Sequence, residues 1–144
     1  MMVKRLSVIA VLAMTFGAGF LVRGVLPGEP VAHAQAGGRV FELRTYVVPA
    51  DKLAPLNTRF KDHTMRLFQK HGITNIGYFT PMDAPKSTNT LVYLIAHPSR
   101  EKAAENWKAF QTDPDWQAAA KASGVPRPEI ESVFMTATDY SPLK

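Results

Sequence analysis

ITNIGYFTPMDAPKSTNTLVYLIAH (Ile73–His97) contains two predicted strands with one loop between them, and the fold can be worked out from this pair. Its first part, ITNIGYFTPM (Ile73–Met82), has the composition of a strand. The near-continuous apolar run TLVYLIAH (Thr90–His97) predicts a strand that is buried on both faces. The linking DAPKSTN is polar and contains proline, which predicts a loop. A helical pattern lies on each side of this pair of strands.

A strand and an amphipathic helix precede this segment. In RVFELRTYVV (Arg39–Val48) apolar and polar residues alternate, which is the periodicity of a strand. A helix is predicted from about Asp51 to His71, because its apolar residues fall on one stripe at about 100° per residue. The stripe consists of Leu53, Leu56, Phe60, Thr64, Leu67, Phe68 and His71. Gly72 is expected to end this helix.

A second helix and a last strand follow. The helix begins after Pro98 and Ser99 and is expected to break at Asp113, which suits an N-cap, with Pro114 as the next residue. EIESVFMTAT (Glu129–Thr138) predicts the fourth strand. The order β-α-β-β-α-β predicts an α+β fold of the ferredoxin-like kind, a four-stranded antiparallel sheet with two helices on one face. The pattern leaves open which sheet face meets the helices.

The other face of such a sheet needs a partner. Strands with aromatic residues on both faces leave an apolar surface that a folded protein normally covers. We therefore expect a homodimer joined through its two sheets, the arrangement known as a dimeric α/β barrel.

The N-terminal residues have the pattern of an export signal. A short basic start is followed by the apolar run Leu6–Val22 and by Ala32–Ala34, which has the small-x-small form of a cleavage site. We predict a signal peptide over residues 1–34, a short linker over 35–38 and one domain over 39–144, exported to the periplasm or secreted. The alternative is an uncleaved anchor in the inner membrane, and membrane contact is expected only in that case.

The composition excludes several classes of protein. The chain of 144 residues has no cysteine, which excludes a disulfide framework, a thiolate metal site and a cysteine nucleophile. The net charge is +5, but part of it lies in the leader and no basic run follows, so no nucleic-acid partner is expected. The mature chain also lacks the nucleophile-elbow, P-loop and dinucleotide-binding motifs.

Four segments of the mature chain, taken in order, resemble the NIPSNAP family. They are FELRTYVVPADKL (Phe41–Leu53), FKDHTMRLFQKHGITNIGYFTP (Phe60–Pro81), NTLVYLIAHPSREKAAENWKAFQTDPDWQ (Asn89–Gln117) and ESVFMTATDYSPL (Glu131–Leu143). The resemblance implies a ferredoxin-like, dimeric α/β-barrel fold. It implies less about function, since animal members are associated with mitochondria as interaction proteins and bacterial members have no generally assigned activity.

The wider dimeric α/β-barrel group contains plain binding proteins as well as cofactor-free enzymes, so this fold leaves two functions open. One is an exported binding module, without a cofactor, for a small apolar ligand or a protein partner. The alternative is a cofactor-independent monooxygenase or isomerase that acts on a small apolar or aromatic substrate.

His63 is the candidate for acid–base catalysis. It lies at the edge of the apolar stripe, where a side chain can reach a crevice between helix and sheet, and imidazole titrates near neutral pH. The alternative is a boundary histidine with a structural hydrogen bond. His71, at the helix C-terminus, is expected to be structural. The two histidines are about 12 Å apart along a helix, so they cannot share one ion, and no metal site is predicted.

Two further groups of residues are candidates for a binding site. Glu42, Arg44 and Tyr46 share one strand face and predict either an ion pair at a dimer interface or an arginine that binds an anion. The candidates for lining a ligand pocket are Thr64, Tyr78, Tyr93, Trp107 and Trp116. The alternative for the aromatic residues is the hydrophobic core. Asp113 and Asp115 are interpreted as a capping pair.

Overall fold

The computed structural model describes residues 38–144. The predicted signal peptide, the alternative anchor and all of the predicted linker except Gly38 lie outside the described residues. In residues 38–144, no helix combines the length and the apolar character that a membrane span requires.

Four strands form one antiparallel sheet, with the order β2-β3-β1-β4. They are β1 (Val40–Val47), β2 (Thr74–Phe79), β3 (Thr90–His97) and β4 (Glu129–Thr136). The edge strands β2 and β4 pair with β3 and β1, respectively, and β3 and β1 pair with each other at the centre of the sheet. This topology confirms the predicted ferredoxin-like α+β fold.

Apart from one short helix before β3, the helices form two groups along the chain. The first run consists of a 3₁₀ turn (Ala50–Lys52), α1 (Leu53–Arg59), a π-helical turn (Phe60–Thr64) and α2 (Met65–Lys70). The short helix α3 (Lys86–Asn89) precedes β3, and α4 (Arg100–Thr112) and α5 (Pro114–Ala122) precede β4. The prediction of a plain loop for DAPKSTN is wrong at its end. There the Thr88 hydroxyl donates to the carbonyl of Pro85 at 2.8 Å and supports a turn too short for periodicity to reveal.

The π-helical turn lies within the stretch predicted as one regular helix. It leaves one extra residue in the turn, so the amide of Met65 donates to the carbonyl of Phe60, and the Thr64 hydroxyl donates to the carbonyl of Arg59 at 3.2 Å. The predicted stripe is nevertheless buried, except for the partly buried His71. The run therefore keeps its sheet-facing side through the irregular turn.

Gly72 ends this run, as predicted. Its φ of 74° lies in the left-handed region, which a glycine adopts without steric cost. The amide of Gly72 donates to the carbonyl of Gln69, and the amide of Ile73 donates to the carbonyl of Phe68. This is the hydrogen-bond pattern of a Schellman motif, and the burial of Ile73 and Phe68 provides its hydrophobic contact.

The predicted break between α4 and α5 is also confirmed. Asp113 is extended, and its Oδ1 accepts from the amides of Asp115 at 2.8 Å and Trp116 at 3.4 Å. Pro114 occupies the first helical position, where its missing N–H costs nothing. Cap and proline together redirect the chain, so α5 turns away from α4 and supplies a second wall over the sheet.

The helices pack on the sheet face that carries Glu42 and Tyr46. The indole N–H of Trp107 in α4 donates to Glu42, and the rings of Tyr46 and Phe60 meet edge to face with centroids 6.0 Å apart. Buried apolar residues of the first helical run and of β3 complete the core on this side. The opposite face is called the open face below.

The open face is largely apolar. Leu43 pairs with Leu94 on one side and with Val133 on the other, so these three side chains form a row across the centre of the sheet. Val133 is 44% exposed and Phe79, on the edge strand β2, is 58% exposed. No described helix covers this row in the single chain.

Candidate functional site

Glu42, on β1, is a charged residue with only 1% of its surface exposed. Its Oε1 accepts from Nη1 of Arg44 at 2.7 Å and from the hydroxyl of Ser132 at 2.6 Å. Its Oε2 accepts from the indole N–H of Trp107 at 2.7 Å and from Nε2 of His97 at 3.0 Å. The register of the sheet makes this possible, because it places His97 and Ser132 one pleat from Glu42 on the two neighbouring strands.

These donors fix the charge of the carboxylate. Burial by itself raises the pKa of Glu42, but the hydrogen bonds from His97, Ser132 and Trp107 and the charge of Arg44 outweigh it and lower the pKa from 4.5 to about 2. Glu42 is therefore ionised at neutral pH, with its acceptor positions filled. Such a carboxylate is a poor base, so its effect is to hold Arg44 and Trp107 in place.

Arg44 lies between two aromatic rings. Its guanidinium carbon is 4.3 Å from the centre of the Trp107 ring and 5.5 Å from that of Tyr46, and Nη2 donates to the Tyr46 hydroxyl at 3.5 Å. The ion pair predicted for Glu42 and Arg44 is thus formed. It lies on the helix-facing side of the sheet, whereas a sheet-to-sheet dimer interface would lie on the open face.

A pocket of about 460 Å³ opens beside Arg44, between α4, α5 and the β1–β4 half of the sheet. We call it the aromatic pocket, because its walls are Tyr46, Trp107, Phe110 and Trp116. The ring centroids of Phe110 and Trp116 are 4.5 Å apart. A space of this volume, lined by aromatic side chains and a few polar groups, suits a small organic molecule.

Arg59, the last residue of α1, also borders the aromatic pocket. It is only 5% exposed, and its guanidinium carbon lies 5.1 Å from the centre of the Trp116 ring. Its Nη1 donates to the hydroxyl of Ser123 at 3.2 Å. Burial lowers the pKa of this guanidinium from its ordinary value, although an arginine remains a cation at neutral pH.

His63 lies elsewhere. It is exposed and borders a groove of about 490 Å³ between α1 and α5, which we call the helix groove, and it is not among the residues that line the aromatic pocket. The expected position in a crevice between helix and sheet is therefore wrong. The reason is that α5 lies along this flank of the first helical run, so the edge of the stripe faces a second helix, with Ala119 and Ala122 across the groove.

Of the five residues predicted to line a pocket, two line the aromatic pocket and three do not. Trp107 and Trp116 line the aromatic pocket. Tyr78 and Tyr93 stack on each other in the core, with ring centroids 5.5 Å apart, and Tyr93 has no exposed surface. Thr64 is buried in the wall of the first helical run, where its hydroxyl bonds to the backbone. The two tyrosines therefore belong to the hydrophobic core, which was the alternative prediction for these aromatic residues.

Three residues of the site do not emerge from the sequence pattern. Arg59 lies outside the apolar stripe, because the stripe identifies the sheet-facing side and Arg59 is buried by the contact with α5. His97 and Ser132 meet Glu42 only through the register of three strands, which the pattern of a single strand does not specify. The sequence contains one local signal for this site: Asp113 and Pro114 predict where α5 begins.

His71 and Asp113 form a separate contact away from the aromatic pocket. Nε2 of His71 donates to Oδ2 of Asp113 at 2.7 Å, and Nζ of Lys70 donates to the same oxygen at 2.7 Å. These hydrogen bonds hold the pKa of Asp113 well below its usual range. Within residues 38–144, no three histidine or carboxylate side chains are grouped as metal ligands would be.

The fold and the site define the class of this protein, a ferredoxin-like α+β domain with an aromatic pocket between its sheet and its second group of helices. The family model for NIPSNAP matches residues 41–142, which is most of the chain. The chain belongs to the NIPSNAP family. Among curated proteins no match was found.

Several similar solved structures carry the same family description. A NIPSNAP family protein of unknown function from Agrobacterium tumefaciens is 22% identical with a TM-score of 0.64, over 75% of this chain and 96% of that one. An uncharacterised NIPSNAP-like domain protein from Burkholderia xenovorans is 18% identical with a TM-score of 0.63, over 74% and 91%. Another A. tumefaciens family protein is 21% identical with a TM-score of 0.63, over 74% and 99%. At these identities the likeness shows the fold and assigns no activity.

Proposed function

We propose that this protein binds a small, flat, largely apolar molecule in the aromatic pocket. The observation that carries the proposal is the pocket itself, in which four aromatic side chains line a space of about 460 Å³ beside Arg44. Aromatic faces attract a flat ring by stacking and by burial of apolar surface. The network around Glu42 supports this function, because it fixes Trp107 and Arg44 before a ligand arrives.

Binding without turnover is favoured over catalysis. No histidine, aspartate or glutamate is among the described residues that line the aromatic pocket, so its titratable groups are a tyrosine and arginines. His63, the candidate base of the enzyme alternative, borders the helix groove instead. A general base has to lie within hydrogen-bond reach of the proton that it removes, directly or through one water.

The proposal includes a homodimer and export from the cell. The apolar row on the open face supports pairing of two sheets, which would leave the aromatic pocket, on the opposite face, free for its ligand. The leader pattern at the N-terminus supports export to the periplasm or beyond it.

Two alanines of α5 provide a matched test of the site. Ala120 borders the aromatic pocket and Ala122 borders the helix groove. The neutral probe 2-naphthamide is titrated into the purified protein by calorimetry, and tryptophan emission is followed in parallel, because both tryptophans of the chain line the pocket. We expect saturable binding at one site per chain, and Ala120→Leu should weaken it about tenfold by filling the pocket.

Ala122→Leu is the control, since it makes the same change on the same helix. It should leave the affinity unchanged. Loss of binding in Ala122→Leu with normal binding in Ala120→Leu would assign the probe to the helix groove. Failure of the unmodified protein to bind any flat aromatic probe would remove the proposed function altogether.

A further inference from the structure

Arg59 is a buried cation without a counter-ion. It is 95% buried, yet within residues 38–144 no carboxylate forms an ion pair with it. Its Nε is buried and has no hydrogen-bond partner there, and Nη1 donates to a neutral group, the hydroxyl of Ser123. A buried charge is costly unless it is paired, so a cation in this state indicates a missing anion.

The charge around the aromatic pocket has the same sign. Three arginines, Arg44, Arg59 and Arg127, line it, and no aspartate or glutamate does so. Arg44 is neutralised from the side by Glu42, at 2.7 Å. Arg127 is exposed, so water screens it. Arg59 is therefore the arginine of this pocket that is both buried and without a counter-ion.

The geometry of Arg59 suits a group attached to a flat ring. Its guanidinium carbon is 5.1 Å from the centre of the Trp116 ring, and Trp116 in turn lies 4.5 Å from Phe110. A ring that stacks against these walls can direct a substituent toward the guanidinium. The planar fork of an arginine matches a carboxylate with two parallel hydrogen bonds.

We infer that the ligand of the aromatic pocket is a small aromatic carboxylic acid, whose ring lies among the tryptophans and whose carboxylate pairs with Arg59. This inference rests on the proposed function, because it specifies the ligand of the same pocket. It adds the requirement for a negative charge, which the aromatic walls alone do not impose.

A pair of isosteric probes tests the charge without any mutation. Sodium 2-naphthoate and 2-naphthamide have the same ring and nearly the same shape, but only the first is an anion. With the unmodified protein, calorimetry should show that naphthoate binds about tenfold to a hundredfold more tightly than the amide at neutral pH. Equal affinities would overturn the inference and leave the proposed function standing, whereas no binding of either probe would overturn both.

Arg59→Gln tests the residue. Glutamine keeps the apolar stem and removes the charge, so naphthoate should lose at least about tenfold in affinity while the amide changes by less than about twofold. Arg66→Gln is the matched control, because it removes an exposed charge from the same helical run, and both affinities should stay as they are. A parallel loss for both probes in Arg59→Gln would mean that Arg59 only supports the wall of the pocket, and would contradict the inference.

Discussion

At the residue scale, Glu42 determines how the site is built. A carboxylate in the interior is stable only when its charge is paired and its oxygens are hydrogen-bonded, and here three strands and α4 contribute the four donors. The same contacts place Arg44 against Trp107. One buried acid therefore links the centre of the sheet to the wall of the aromatic pocket.

We predict that Glu42→Gln lowers the free energy of unfolding by about 3 kcal/mol at neutral pH, because it leaves a buried arginine unpaired and turns an amide donor toward other donors. Urea unfolding followed by circular dichroism measures the change. Glu105→Gln, an exposed substitution on α4, is the control and should have little effect. Equal stabilities of Glu42→Gln and the parent protein would show that the network contributes nothing net.

The same variant has a predicted pH dependence. The pKa of Glu42 is lowered from 4.5 to about 2 in the folded protein, so its contribution is complete above pH 4.5 and disappears as the pH falls toward 2. The difference in stability between Glu42→Gln and the parent should therefore shrink between these two pH values. A difference that stays constant down to pH 2 would contradict the assignment.

Single residues differ in how far the sequence predicts them. Alternation in β1 is enough to put Glu42, Arg44 and Tyr46 on one face. It does not identify His97 as a partner of Glu42, because that contact depends on the register between strands. The burial of Arg59 is not predicted by periodicity either. The apolar stripe identifies the side of a helix that faces the sheet, but a neighbouring helix buries a second side.

At the scale of elements, Asp113 connects the two groups of helices. Its Oδ1 caps α5, while its Oδ2 accepts from Lys70 and His71 at the C-terminal end of the first helical run. The capping bond orients α5, and α5 carries Trp116 into the aromatic pocket. The cap is thus a structural residue on which the geometry of the site depends.

We predict a graded loss of thermal stability at this position. Asp113→Asn keeps the cap and loses the charge, and Asp113→Ala loses both, so the Tm should fall in that order, by about 5 °C or more for alanine. Because the pKa of Asp113 is held below its ordinary value of 3.8, the stabilisation is present above that pH and is lost in more acidic solution. Asp115→Asn, at an exposed position, is the control in the same calorimetric scans and should change the Tm little.

The elements show what local chemistry can and cannot predict. The bounds of β3 and the break between α4 and α5 follow from the sequence, because an apolar run and an Asp-Pro pair are local signals. The π-helical turn cannot be predicted from the sequence, because one extra residue in a turn barely changes the apolar stripe of seven residues. The hydrogen bond from the Thr64 hydroxyl to the carbonyl of Arg59 accompanies this turn, and periodicity does not reveal it.

At the scale of the whole molecule, polar residues of β1 lie under the helices and an apolar residue of β1 lies on the open face. Polarity alone would predict the reverse arrangement. Glu42 and Arg44 lie on the face under the helices, and Leu43 lies on the open face. Polarity misleads here because donors on four elements satisfy the buried acid, and the sequence pattern does not reveal them. The sequence therefore leads to the architecture but not to the assignment of its faces.

The open face carries the prediction about assembly. Leu43, Leu94 and Val133 form an apolar row with Phe79 exposed at the edge strand, and sheet-to-sheet pairing would remove this surface from water. We predict that the protein is a dimer by light scattering and that Val133→Glu weakens the dimer at least about a hundredfold, because it would bury an unpaired charge beside Glu131. Met82→Glu is the matched control, since Met82 is 95% exposed outside the sheet, and it should leave the dimer intact.

The outcomes separate assembly from ligand binding. Because the aromatic pocket and the open face lie on opposite sides of the sheet, a monomeric Val133→Glu protein should still bind 2-naphthoate with the affinity of the parent protein. Loss of binding together with the dimer would mean that the partner chain shapes the pocket. A monomeric parent protein, or a Val133→Glu dimer as tight as the parent, would instead exclude the open face as the interface.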